Sequence, residues 1–243
     1  MENQPVRLNK YLSDAGLCSR READRLIASG CVCVNGMPAQ KGMRISRHDT
    51  VTLHGKTVKP VHDLIILAYH KPVGVVCTAD VREADRVYNH LHFPQKLKYI
   101  GRLDKQSEGL LLFTNQGSFA DAIAKAGNRH EKEYEVYVDK PITDGFLSKM
   151  RQGMDIEIDD RIYQTRPCTV EKIDKNHFRI VLTQGFNRQI RRMCGACGYH
   201  VRALKRIRVM NVRLGDLAVD AYRMIEGEER EELIRQTGIR QFH

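Results

Sequence analysis

No stretch of this 243-residue chain is apolar for long enough to cross a bilayer: the most apolar run, Leu64 to Tyr69, has six residues, where a helical span needs about 20. The first ten residues, MENQPVRLNK, are polar and hold no apolar h-region, which argues against a secretory signal peptide. Cysteine is sparse and unpatterned. Cys18, Cys31, Cys33, Cys77, Cys168, Cys194 and Cys197 are odd in number and follow no repeating spacing, so a disulfide framework is excluded and reduced thiols are expected. Together these absences point to a cytoplasmic protein with no membrane partner.

Acidic residues are missing from one region in particular. Between Phe186 and Arg213 the chain carries Arg188, Arg191, Arg192, Arg202, Lys205, Arg206, Arg208 and Arg213 with no Asp or Glu, in a protein of formal net charge +10. Such a block attracts a polyanion, and phosphate neutralisation by Lys and Arg makes nucleic acid the leading partner. A solvated surface balanced by the acidic cluster Glu226 to Glu232 is the plainer alternative.

Leu8, Leu12 and Ala15 recur at helical spacing up to Gly16. Ser19 and Glu22 then form a capping box for a second helix, with Ala23, Leu26 and Ile27 on its buried face and Gly30 as its stop. After this the period changes to two. Val32 and Val34 lead into Asn35-Gly36, a pair suited to a tight turn, and Val51 and Leu53 lead into His54-Gly55. Outward positions of this small unit include Arg7, Lys10, Arg20, Arg21 and Arg25. A linker around Val58 to Asp63, with Pro60, separates it from a second unit. There the expected strands are Leu64 to Tyr69, Leu97 to Ile100, Leu110 to Thr114, Lys132 to Val138 and Phe178 to Thr183, with helices near Phe119 to Ala126, Thr143 to Gln152 and Asn187 to Cys197. Strands and helices mix without regular alternation, which favours an α+β fold with a mixed, largely antiparallel sheet flanked by helices.

One anion stands among the cations of Gly101-Arg102-Leu103-Asp104-Lys105. Its loop joins two expected strands, with Gly101 and Gly109 at the ends, and loops held by rigid strands collect functional residues. Flanking cations favour the charged carboxylate, which suits a nucleophile, a base or a metal ligand better than a general acid. The plainer reading is a turn aspartate that caps its own backbone and pairs with Arg102 or Lys105. Polynucleotide-cleaving sites gather several carboxylates around Mg²⁺, and only Glu108 lies near. Cys194-x-x-Cys197 with His200, and Cys31-x-Cys33, are fragments of a zinc pattern; the first falls on an expected helix whose buried face needs Ile190, Met193 and Cys197. No metal site is expected. In HEKEYEVYVDKPIT, alternation places Tyr134, Val136 and Val138 on one face. Tyr134 is then either a core residue or a ring at the edge of a cleft, where it could stack on a nucleobase. In GFNRQIRRMCGACGY, helical spacing sets Arg188 beside Arg191 and Arg192, and one of them could reach back to a carboxylate.

The segment VRLNKYLSDAGLCSRREADRLIASGCVCVNGMPAQ, Val6 to Gln40, resembles the S4 RNA-binding domain. Lys71-Pro72-x-Gly74, then Gly101-Arg102-Leu103-Asp104 with Ser107-x-Gly109-Leu110, then Lys132-x-Tyr134, then Asn187-Arg188-Gln189-Ile190-Arg191-Arg192-Met193 resemble, in that order, the motifs of the pseudouridine synthases, in particular the RsuA branch that modifies ribosomal RNA. The resemblance implies an S4-like domain and linker over residues 1–62 and a pseudouridine synthase catalytic domain over 63–243. It implies a flipped-out uridine whose N-glycosidic bond is broken and whose base is rejoined through C5. Asp104 would be the catalytic residue, Arg191 its salt-bridge partner, Tyr134 the residue stacked on the target base, and Arg102 the one that helps displace it. Lys71, Lys105, Arg188 and Arg192 are expected to contact RNA, together with Arg7, Lys10, Arg20, Arg21 and Arg25 of the first unit. No cofactor is implied, because the product is an isomer. The implied partner is large-subunit (23S) ribosomal RNA, with a tRNA anticodon as a further substrate of that subgroup, and a monomer is expected. The chain stops at His243 without the long basic tail of some relatives, which lowers the expected non-specific affinity for rRNA. Two rivals stand beside this reading: a non-catalytic S4-type RNA-binding assembly factor and a metal-dependent nuclease.

Overall fold

A computed structural model describes residues 5–46, 48–59 and 63–238. Residues 60–62, with the Pro60 of the expected linker, lie outside the described residues, as do both chain ends.

In the N-terminal unit, helices α1 (Leu8–Asp14) and α2 (Arg20–Ala28) share one core with a small sheet, built from Leu8, Leu12, Ala23, Ile27, Val32, Val34 and Val51. Helix α2 begins where the capping box places it, with the Ser19 hydroxyl accepting the Glu22 backbone N–H at 3.2 Å. Asn35 and Gly36 adopt φ of 51° and 81°, the left-handed pair that a tight hairpin needs.

The second unit is built on a nine-stranded sheet. Its strands are β1 (Ile66–Lys71), β2 (Lys98–Ile100), β3 (Glu108–Thr114), β4 (Lys132–Val138), β5 (Thr169–Asp174), β6 (His177–Leu182), β7 (Val201–Val209), β8 (Val212–Arg213) and β9 (Tyr222–Met224). The order is β5-β6-β4-β7-β3-β1-β9, with β8 on β7 and β2 on β3. Within this sheet only β7 with β3 is parallel; the other pairings are antiparallel. Besides the single turn Val87–His90, the helices that flank the sheet among the described residues are α3 (Gly117–Ala124), α4 (Asp144–Gln152), α5 (Gln189–Ala196) and α6 (Gly227–Thr237). On one face Leu111, Phe113, Val136 and Phe178 pack with Phe146 and Met150 of α4 and with Ile190 and Met193 of α5. On the other, Leu110 and Leu112 pack with Phe119 and Ile123 of α3 and with Leu233 and Ile234 of α6. Burial on both faces explains why β3 reads GLLLF rather than alternating.

Part of the basic block from 186 to 213, Lys205, Arg206 and Arg208, is engaged within the fold, because β7 runs through the middle of the sheet. Arg206 is 3% exposed and its Nε donates to the Leu110 carbonyl at 2.7 Å. Lys205 pairs with Glu108 at 3.2 Å, and Arg208 pairs with Glu133 and Glu131. Counter-charges absent from the local sequence are thus supplied from far along the chain. The acidic cluster 226–232 serves other cations, Glu229 pairing with Arg223 and Glu232 with Arg235. Among the described residues no helix is long and apolar enough to cross a membrane.

Candidate active site

The β2–β3 loop presents Asp104 by pinning what lies on either side of it. Leu103 is buried, Arg102 is exposed, and the Asp104 side chain is 31% exposed. The Asp104 carbonyl accepts the Ser107 N–H at 3.0 Å, and the Lys105 carbonyl accepts the Gly74 N–H at 2.8 Å. The Lys71-Pro72-Val73-Gly74 turn therefore braces the loop from below. Lys71 itself is expected among the RNA contacts, and the structure corrects this: it is fully buried, with Nζ donating to the Pro72 and Val75 carbonyls at 2.7 Å each. No phosphate can reach it. Burial pulls its pKa down to about 8, while Cys77 and Asp104 act in the opposite sense.

Behind the loop, β3 passes close to β7. Gly109 has φ +114°, and a Cβ there would lie 2.3 Å from the Arg206 carbonyl oxygen, so only glycine fits.

The N-terminal end of α5 holds the loop from the other side. Arg188, its left-handed N-cap residue with φ 53°, brings Nη1 to 4.0 Å from Asp104 Oδ2 and Nη2 to 3.4 Å from Gln106 Oε1. Arg191 donates from Nη2 to the Gln106 carbonyl at 2.9 Å and from Nη1 to the Val201 carbonyl at 3.2 Å. The cation nearest the carboxylate is thus Arg188, while Arg191, the partner implied by resemblance, grips the backbone of the same loop. Burial and Arg188 lower the Arg191 pKa, and the charge of Asp104 raises it. Arg192 directs its donors to the carbonyls of Asn187 and Glu157. Lys105 pairs with Glu83 at 3.9 Å, so the ion pairs of this loop are not those of a self-contained turn.

These elements enclose a cleft of about 170 Å³. Asp104 and Arg102 stand on one side; Tyr134, Leu182, Leu204 and Phe186 form an apolar wall; Arg188, Arg191, Arg206 and Lys132 supply positive charge. Tyr134 is 8% exposed. It joins the core stripe with Val136 and Val138 and also lines the cleft, so both readings of this residue describe one position. Burial, then the nearby Arg206, pull the Lys132 pKa down to about 8. Arg206 Nη2 and Ser107 Oγ are buried without a hydrogen-bond partner, and both residues line the cleft, so the site holds donor capacity the protein itself leaves unused. Sequence reasoning missed the role of Arg206. The alternation Leu204-x-Arg206 on one strand face was the available signal.

In the N-terminal unit, Arg7, Arg21 and Arg25 are exposed and Lys10 is half-buried. Arg25 pairs with Glu22 at 3.0 Å and Arg20 with Asp121 of α3 at 3.4 Å. Cys194 is buried and its thiol pKa is pushed up to about 12 by desolvation, which makes it a packing residue. Among the described residues no three His, Cys, Asp or Glu side chains converge as a metal cage.

A family profile described as "RNA pseudouridylate synthase" matches residues 65–196, and one described as "S4 domain" matches residues 6–51. The chain is 43% identical over 237 residues to "Dual-specificity RNA pseudouridine synthase RluF" of Escherichia coli (strain K12), covering 97% of this chain and 80% of that one. It is 35% identical over 239 residues to an "Uncharacterized RNA pseudouridine synthase" of Aquifex aeolicus (strain VF5), covering 95% and 97%. Among solved structures, "Crystal structure of pseudouridylate synthase" superposes with a TM-score of 0.69 at 25% identity, covering 94% of this chain and 99% of that one.

Proposed function

The chain belongs to the RNA pseudouridylate synthase family, with an S4 domain ahead of the synthase domain, and from that premise we propose that it isomerises a uridine of 23S ribosomal RNA to pseudouridine, with Asp104 as the catalytic residue. The observation that carries this reading is the placement of one partly exposed carboxylate in a cleft whose other charged lining residues, among the described residues, are all cations. A cleft of about 170 Å³ accepts a nucleoside base turned out of its helix. Extrusion costs a few kcal/mol, offset by stacking on Tyr134 and by phosphate contacts to Arg102, Lys105, Arg188 and Arg192. The anionic carboxylate then acts either on C1′ of the ribose or on the C2′ proton, and each route breaks the N-glycosidic bond. The freed uracil turns within the pocket and C5 bonds to C1′. As that bond forms, the Asp104–C1′ ester breaks or the proton taken from C2′ is returned; the C5 proton leaves to solvent and N1 takes one up, so atoms balance and no cofactor is consumed.

Arg188 and Arg191 hold the loop at Gln106 and orient the carboxylate, Arg191 closing on it once RNA fills the cleft. Arg206 and Lys132 face the uracil carbonyls as it turns. Residues 1–62 serve as the RNA-binding domain and linker and 63–243 as the catalytic domain, in a cytoplasmic monomer. A tRNA anticodon is the second substrate to test, since the relative RluF carries the name dual-specificity. The experiment is release of tritium from RNA labelled at uridine C5. Large-subunit rRNA from a strain lacking the gene should release it on addition of the protein, with pseudouridine mapping to one site. Release from tRNA alone would move the substrate, and release from neither RNA would overturn the proposal.

A further inference from the structure

The N-terminal unit is fastened to the two elements that frame the cleft. At the end of α1, Ser13 is 1% exposed and its hydroxyl accepts Lys98 Nζ at 2.7 Å. The next residue, Asp14, faces the backbone N–H of Gly117, the first residue of α3. The N-cap of that helix, Gln116, offers no side-chain cap, so the anion at its positive end comes from the other unit. Burial raises the Asp14 pKa, while the charges of Lys10, Lys98 and Arg20 act against that rise. Asp14 Oδ1 is buried without a hydrogen-bond partner. Gly117 needs no left-handed backbone, since its φ is not positive. A Cβ there would stand 3.1 Å from Lys98 Nζ and 3.3 Å from Asp14 Oδ1, so its missing side chain lets α1 approach. At the rim, Arg20 pairs with Asp121 one turn further along α3.

Both anchor points lie outside the cleft, on elements that lead into it. Lys98 opens β2, the strand that runs directly into Gly101 and the Asp104 loop, and α3 contributes Ile123 and Ala124 to the cleft wall. The exposed cations Arg7, Arg21 and Arg25 are therefore carried on a body tied to the frame of the site and not only to the linker.

We propose that the junction of Ser13 and Asp14 with Lys98 and Gly117 is a specificity-determining device, which fixes the N-terminal unit so that a structured RNA gripped there presents one uridine to Asp104 at a set offset. This rests on the reading of the cleft as a uridine site. None of these four residues touches the base. They are positioning residues, acting on the geometry with which a large RNA is delivered.

The test compares two RNAs with the full-length protein: intact large-subunit rRNA from a strain lacking the gene, and a short stem-loop cut from the mapped site, too small to reach the N-terminal unit. Lys98→Ala and Asp14→Asn should lower kcat/KM on intact rRNA by about tenfold or more and add pseudouridines at neighbouring positions, while changing the stem-loop reaction by less than about twofold. Lys98→Arg, which keeps the charge and the donor, should retain the wild-type site pattern. Equal losses on both RNAs, or no loss on either, would overturn the proposal. Should the variants fold poorly, energy transfer between labels on the two units of the wild-type protein decides: a single narrow distance without RNA is expected, and a broad distribution overturns the junction. A wild-type protein that modifies neither RNA would overturn the proposed function instead, and the distance measurement would then decide the junction by itself.

Discussion

The N-terminal unit and the cleft both present cations, yet they hold them in different ways. In the first, Arg21 and Arg25 stand exposed on α2 and Arg7 just ahead of α1, where each is solvated and each can be lost alone. In the second, Arg206 and Lys71 are buried beneath and beside the loop, bonded to the carbonyls of Leu110, Pro72 and Val75, and Lys132 is pulled to about 8 by burial. Exposed cations gather a polyanion through long-range attraction and tolerate exchange. Buried ones are fixed, and losing one leaves partners unsatisfied. RNA capture and the shaping of the active loop are thus carried by cations of the same type in opposite environments.

That contrast can be broken most forcefully at Gly109. Gly109→Ala places a methyl 2.3 Å from the Arg206 carbonyl at φ +114°, and a loss of more than about 3 kcal/mol in thermal or denaturant unfolding is expected. A loss below about 1 kcal/mol would show that the two strands need not approach so closely. Arg206→Leu comes next. It leaves the Leu110 carbonyl unpaired and should cost about 2 kcal/mol by urea unfolding, whereas Arg21→Ala should fall within about 0.5 kcal/mol.

The pH dependence of stability sharpens the same point. Lys71 has an ordinary pKa of 10.5 and a folded value of about 8. Between these limits the unfolded chain binds the extra proton, so stability rises as pH increases through that window and is flat in this contribution below it. Lys71→Met should reduce the gain in unfolding free energy measured between pH 8 and 10.5, and an unchanged profile would count against the buried ammonium. The smallest effect belongs to the exposed set. Arg21→Ala should weaken RNA binding only a few-fold and lower the salt slope of the binding constant by about 1, as read by titration at several ionic strengths.

Local signals carry far into this fold. The Ser19–Glu22 capping box, the Asn35-Gly36 turn and the strand Lys132 to Val138 are visible because each depends on neighbours in sequence. The Asp104 loop is legible for a similar reason, since its bounding glycines and flanking strands are adjacent. What escapes depends on partners far along the chain. β7 reads as a charged block because its counter-ions come from far along the chain, Glu108 from β3, Glu133 from β4 and Glu131 from just ahead of β4. Lys71 reads as an RNA contact because nothing nearby shows that its ammonium turns inward onto two carbonyls. The hairpin from Asp155 to Gln164 and helix α6 carry weaker periodicity and are absent from the sequence reading. At α5 the spacing groups Arg188 with Arg191, but which of them lies nearest Asp104 follows from the left-handed N-cap, a feature no spacing reveals.

The most direct test concerns Asp104 alone. Asp104→Asn keeps the size of the side chain and removes its charge, so RNA affinity should stay within about twofold while C5-tritium release from 23S rRNA falls by about a thousandfold or more. Variant turnover within about tenfold of wild type, at equal RNA binding, would contradict a catalytic carboxylate at this position.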